Sequence, residues 1–255
     1  MSNTTEQDTN TENSLVDRMF AVGAHFGFSK RRRHPSVKPY VFAHKEGTDI
    51  LDLEKTSALL KDAIEVMRKA GLDGKTVMFV GTKPEVSALV EEYAVKADMP
   101  RMTNRWIGGT LTNFPEIQKR LKRLTGLLAE QQSGDLERKY TKKERVILGR
   151  EMDKLRFNFG GIETMEKLPD MVLLVDSRYE VTAVKEANDL KIPILAVIGS
   201  DCDPTKVTYP VIMNDAQRAS VNFALSELVS AYQDGRANYV PKKIKDGRER
   251  VRAKA

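Results

Sequence analysis

The chain has one cysteine, one tryptophan and three histidines in 255 residues, and no long apolar run. The single cysteine, Cys202, excludes an intramolecular disulfide and fits a reducing compartment. A membrane-spanning helix needs about 20 consecutive apolar residues, so a membrane is not an expected partner. The first residues, MSNTTEQDTNTENS, lack the basic and apolar regions of a secretory signal. The expectation is a cytoplasmic chain with a disordered segment at 1–14. His25, His34 and His44 follow no zinc spacing and have no cysteine nearby, so no metal is expected. No Ser-His-Asp or Cys-His set and no supported acid pair stands out, so no catalytic residue, cofactor or small-molecule substrate is expected.

Nucleotide motifs are incomplete as well. Gly74-Lys75-Thr76 resembles the end of a Walker A loop, but Lys69 stands where its first glycine belongs. The triplet also precedes a strand that it should follow. After the strand Val77 to Val80 only Gly81 is present, which does not make a dinucleotide fingerprint.

What is present is basic charge confined to three places. The chain carries +6 overall. Residues 30–45 hold Lys30, Arg31, Arg32, Arg33, Lys38 and Lys45 with no acid; residues 115–160 carry +5 and residues 236–255 another +6, which leaves −11 for the rest. Positive extensions on an acidic body match a polyanion such as nucleic acid; solvated helix faces and a disordered tail are the alternative. Phe26, Phe28 and Tyr40 bracket the arginines, either as stacking platforms for RNA or as pins that fix the loop to a core.

The pattern is organised around Arg105 to Phe114, RWIGGTLTNF, where paired glycines permit a sharp turn and Thr112 and Asn113 are N-cap candidates ahead of Pro115. Before it, spacing predicts a short helix from Ser14, with Asp17 three residues on, to Gly23. An ordered basic loop follows, with Pro35 and Pro39, entering a strand at Tyr40 to Ala43. A helix at Thr56 to Ala70 closes at Gly71. The strand at Val77 to Val80 is followed by a helix whose capping box is Thr82 and Glu85. Beyond the pivot, Ile117, Leu121, Leu124 and Leu128, then Leu148, Met152, Leu155 and Phe159, repeat with steps of 4, 3 and 4. Joined through Ser133-Gly134, these predict an antiparallel helical hairpin, a coiled-coil arm at 115–159 inserted into an α/β domain at 15–114 and 160–235. Its outer faces carry Lys119, Arg120, Lys122, Arg123, Lys142, Lys143, Arg145 and Arg150.

The α/β pattern resumes with strands at Met171 to Val175, Ile192 to Ile198 and Tyr209 to Met213, and helices at Val181 to Leu190 and Ala216 to Tyr232. Ser177 with Glu180, and Asn214 with Gln217, are further cap candidates, and Asp201 and Asp203 read as loop caps. Strands alternating with helices predict a doubly wound parallel sheet. The turns at Gly81-Thr82 and Asp176-Ser177 could hold a phosphate through free amides, which keeps open an α/β enzyme acting on a phosphorylated small molecule.

The segments HFGFSKRRRHPSVKPYVF, DILDLEKT, VMFVGTK, RWIGGTLTNF, PDMVLLVDSRYEVTAVKEANDLKIPILAVIGSDCDP and YPVIMNDA together resemble the bacterial small-subunit ribosomal protein S2 family over about Leu15 to Tyr232. The resemblance implies a flavodoxin-like domain with a protruding coiled-coil arm and a structural, non-enzymatic role in the cytoplasmic ribosome. It also implies small-subunit rRNA and neighbouring ribosomal proteins as partners, including the large mRNA-binding first protein of the subunit, and neither DNA nor membrane. Lys30, Arg31, Arg32, Arg33, Lys38, Arg105 and the basic face of the arm are then the expected rRNA contacts, with the tail at 236–255 ordered on assembly. A free RNA-binding regulator is the remaining RNA alternative. The chain departs from the family's usual loop at Phe28, where a second histidine is usual, and at Arg33-His34, where a Trp-Asn pair is usual. This implies an altered local contact. Cys202 lies in the family's CDP loop, where the resemblance implies a structural role.

Overall fold

A computed structural model describes residues 15–239; the expected disordered segment at 1–14 and all of the basic tail beyond 239 lie outside it. Helix α1, residues 15–21, ends at Gly23, whose φ of +70° suits glycine, and the Ala24 N–H returns to the Met19 carbonyl. The chain then enters β1 (Phe26–Ser29), a 3-10 turn (Pro35–Tyr40), β2 (Val41–Lys45) and β3 (Thr48–Leu51). These three strands form an antiparallel sheet in the order β1-β3-β2. The ordered basic loop expected ahead of Tyr40 is thus preceded by a further strand, β1, which the sequence pattern does not show. With Gly27 inside it and only four residues, β1 has too little alternation to show.

Helix α2 (Leu53–Leu72) starts three residues earlier than expected, because the Asp52 carboxylate accepts the N–H groups of Glu54 and Lys55 at 3.1 and 3.3 Å. Gly71 does not end it. Gly71 is buried inside the helix, and the terminating residue is Gly74, at φ +65°. Strand β4 (Val77–Val80) leads to α3 (Pro84–Lys96), then β5 (Arg101–Met102). Beyond the pivot come α4 (Phe114–Gln132), the short α5 (Asp135–Lys139) and α6 (Lys142–Phe159), the last opened by a reciprocal Thr141–Glu144 capping box. The remaining elements are β6 (Met171–Val175), α7 (Val181–Asp189), β7 (Ile194–Ile198), β8 (Tyr209–Ile212) and α8 (Arg218–Ala237).

The five strands β5-β4-β6-β7-β8 are parallel throughout, as in a flavodoxin-like sheet. Alternation along each strand feeds two cores. Val77, Phe79, Leu173, Leu195 and Val197 meet α2, α3 and α8, while Met78, Val80, Leu174, Ala196 and Ile198 face the side that holds α7 and the apolar residues of α4 and α6. Burial on both faces explains why β6 and β7 read as unbroken apolar runs. On α4 the buried residues are Phe114, Ile117, Leu121, Leu124 and Leu127, while Leu128, expected on the seam, is only partly buried against the same core. Arg123 forms two bonds of 3.2 Å to Glu151, tying α4 to α6.

Candidate nucleic-acid interface

In a doubly wound sheet, ligands enter at the point where strand order reverses. Here that point lies between β4 and β6, at the turns after Val80 and Val175. It is already filled by the protein. The Thr82 N–H and hydroxyl both donate to Glu180 Oε1, at 2.6 and 2.7 Å, and the Lys83 ammonium sits 3.0 Å from Asp176 Oδ2. Neither expected capping box forms: Lys83 and Glu180 are the N-cap residues of α3 and α7, without side-chain cap bonds, and Thr82 is used to hold Glu180. Asp176 takes φ +66° and accepts the N–H groups of Arg178 and Tyr179. The amides and the cation that would greet a phosphate are answered by carboxylates of the same chain.

Asp176, Cys202 and Asp215 place one ligand atom each within 4.8 Å of one another. Burial, then the nearby acids Asp215 and Asp176, push the Cys202 thiol up to about 12, so at neutral pH it is a protonated, poor metal ligand. Burial and then Asp176 raise the Asp215 carboxyl to about 7. A divalent cation would also have to compete with Lys83 for Asp176. The three histidines are not brought together: His25 stacks between Phe20 and Phe26, His34 Nδ1 accepts the Ser36 N–H, and His44 meets Asp49 at 2.9 Å.

The basic segment is anchored on the carboxyl edge of the large sheet. Phe28 N–H donates to Ser200 Oγ at 2.7 Å and His34 N–H to the Ser200 carbonyl at 2.9 Å. Arg32 lies 4.3 Å over the Phe28 ring and donates to Asp201 at 2.9 Å, where Arg178 also binds. Asp201 is therefore an ion-pair centre where a loop cap was expected; Asp203 does cap, accepting the Thr205 N–H at 3.1 Å. Arg33 reaches the buried Asp49 at 3.4 Å. Tyr40 packs partly buried against the core. By contrast Lys30, Arg31 and Lys38 are exposed and, among the described residues, have no ion-pair partner.

The pivot is organised by Glu186 of α7. The residue is 6% exposed, and its carboxylate accepts from Trp106 Nε1 (3.0 Å), from the amides of Gly109 (2.8 Å), Leu111 (3.0 Å) and Thr112 (3.2 Å), and from the Thr112 hydroxyl (3.2 Å). Burial works to raise its pKa, but these bonds outweigh it and the net shift is downward. Thr112 is thus spent on Glu186, and of the two expected caps it is Asn113 that occupies the N-cap position of α4, without a side-chain bond. In sequence Glu186 looked like one acid of a crossover helix; only its place on the buried side of that helix could have flagged it. Arg105 is exposed beside this knot. Along α4 and α6, Lys119 pairs with Glu116, Arg123 with Glu151 and Arg145 with Glu137, while Arg120, Lys122, Lys142, Lys143 and Arg150 are exposed and, among the described residues, without ion pairs.

The sheet is flavodoxin-like, the crevice between β4 and β6 is taken up by the chain's own carboxylates, and unpaired cations lie on the outer surface. The comparison with known sequences supplies the family. The pattern described as "Ribosomal protein S2" matches residues 19–235, and the chain belongs to that family. It is 40% identical over 219 residues to small ribosomal subunit protein uS2 of Sulfurimonas denitrificans, covering 86% of this chain and 84% of that one. It is 39% identical to the uS2 proteins of Campylobacter fetus subsp. fetus, over 86% and 84% of the two chains, and of a Nitratiruptor species, over 86% and 81%. Membership gives it a structural, non-enzymatic role in the small ribosomal subunit, which closes the enzyme alternative.

Proposed function

We propose that the chain binds small-subunit rRNA through Lys30, Arg31 and Lys38, with the free guanidinium edges of Arg32 and Arg33, and through Arg105 and the basic residues of α4 and α6. The observation that carries this reading is the set of exposed Lys30, Arg31 and Lys38 on a segment fastened to the sheet edge through Ser200, so that cations without protein partners are held in place. Phosphate contacts and counterion release supply the affinity. Residues 115–159 act as a coiled-coil arm whose cationic face, with Lys119, Arg120, Lys122, Arg123, Lys142, Lys143, Arg145 and Arg150, forms a second surface. The two ion pairs that cross between its segments, Arg123 to Glu151 and Arg145 to Glu137, support that reading. Neighbouring ribosomal proteins, the mRNA-binding first protein among them, meet the remaining surface, and the tail beyond 239 adds further positive charge.

Sucrose-gradient sedimentation of a lysate in high salt tests the reading. The chain is expected with the small subunit in near-stoichiometric amount. The combined variant Lys30→Glu, Arg31→Glu, Lys38→Glu should keep the parent melting temperature and incorporate poorly; full incorporation would refute the assignment. Arg32 and Arg33 are unsuitable for this test, because reversing them sets acids against Asp201 and Asp49.

A further inference from the structure

Strand β2 is an edge of the small antiparallel sheet, and its ladder is interrupted at one residue. The partner register moves from Val41 opposite Leu51 to Ala43 opposite Ile50, which leaves Phe42 as the extra residue of a bulge. Bulges re-aim a side chain and recur beside functional sites. This one places Phe42 77% exposed, the most exposed large apolar side chain among the described residues. Two residues on, His44 joins Ser29, Lys30, Arg31 and Gly47 around a shallow concavity of about 650 Å³. Lys30 and Arg31 are exposed there, Lys45 is exposed next to His44 on β2, and Asp49, the acid behind His44, is bound by Arg33 and His44. Glu46, an exposed acid, stands at the tip of the β2–β3 turn.

We propose that Phe42 is a stacking platform for an unpaired base of single-stranded RNA, whose flanking phosphates are taken by Lys45 of the same strand and by Lys30 and Arg31 of the concavity that His44 lines. Every base has a π-face, and a rigid aromatic beside cations suits a polyanion made of such faces. A peptide added along the β2 edge would use the strand's main-chain groups and has no need of the cations. The inference rests on the proposed rRNA binding and adds a site within it.

The test uses the full chain and deproteinised small-subunit rRNA from the same organism, titrated over a salt series. Phe42→Ala should weaken binding by about 5- to 150-fold, the range of one base stack, with the slope against salt unchanged. Phe42→Tyr and Phe42→Trp should retain it. Trp106 is the sole native tryptophan and is buried, so the indole added by Phe42→Trp should report directly: its emission falls with RNA and becomes shielded from acrylamide. If Phe42→Ala binds like the parent while Arg31→Glu binds weakly, stacking is overturned and the rRNA reading survives. If the parent itself does not bind, both fall. If Phe42→Ala leaves rRNA affinity intact but its subunits lack a neighbouring protein, the platform is a protein contact and the proposal is wrong.

Discussion

Two buried carboxylates of this protein have opposite fates, set by what surrounds each. Glu186 is answered by one indole, three amides and a hydroxyl, and its charge is stabilised. Glu186→Ala leaves those donors without an acceptor, and the chain should lose about 3 kcal/mol or more in a denaturant titration. Asp215 is fully buried, and neither carboxylate oxygen has a hydrogen-bond partner in good geometry. Its folded pKa of about 7 lies above that of an unfolded aspartate. The stability it contributes is therefore complete below the unfolded value near pH 4 and is lost as pH rises through about 7. Asp215→Asn should remove that loss: its melting temperature relative to the parent should be higher at pH 8 than at pH 4. An equal difference at both pH values would show that folding does not raise the Asp215 pKa.

Among the elements, α2 and α8 come so close that two glycines are required. A methyl group on Gly71 would fall 2.2 Å from the Tyr232 carbonyl oxygen, and one on Gly235 2.1 Å from that of Arg68. Gly235→Ala should cost about 1–3 kcal/mol of stability, since neither backbone can yield cheaply. Gly126 and Gly149, in α4 and α6, meet nothing within 4 Å. Alanine there should stabilise by about 0.5–1 kcal/mol on helix propensity alone, and thermal melts of the three variants should show the opposite signs. The same positions explain what the sequence could reveal. Periodicity placed α2, β4, α3, β6, α7, β7 and α8 close to their observed spans, because each buries a face set by its own repeat. It read Gly71 as a terminator because helix-ending and helix-crossing glycines look alike until the partner helix is known. The capping boxes at Thr82 and Ser177 failed for a related reason: Glu180 is taken by a residue 98 positions away. At the interface, the basic run was plain in the sequence, but the division between internally paired Arg32 and Arg33 and unpaired Lys30, Arg31 and Lys38 was not. Asp49 and Asp201 are brought to them only by the fold.

At the scale of the whole molecule, charge is separated by position: an acidic body, cations on an edge segment and on α4 and α6, and further cations beyond residue 239. With such separation, the proposed rRNA binding should be steep in salt. Each phosphate contact removed by the triple Lys30, Arg31, Lys38 reversal should lower the slope of log K against log salt by roughly one. The plugged crevice between β4 and β6 has a consequence of its own. A ligand that binds only the native state adds to its stability in proportion to the logarithm of its concentration. With Glu180 on Thr82 and Asp176 on Lys83, this fold carries its anions as part of the chain, at fixed and inexhaustible effective concentration. Phosphate or nucleotide offered to this crevice should therefore leave the melting temperature unchanged, which a thermal-shift titration checks.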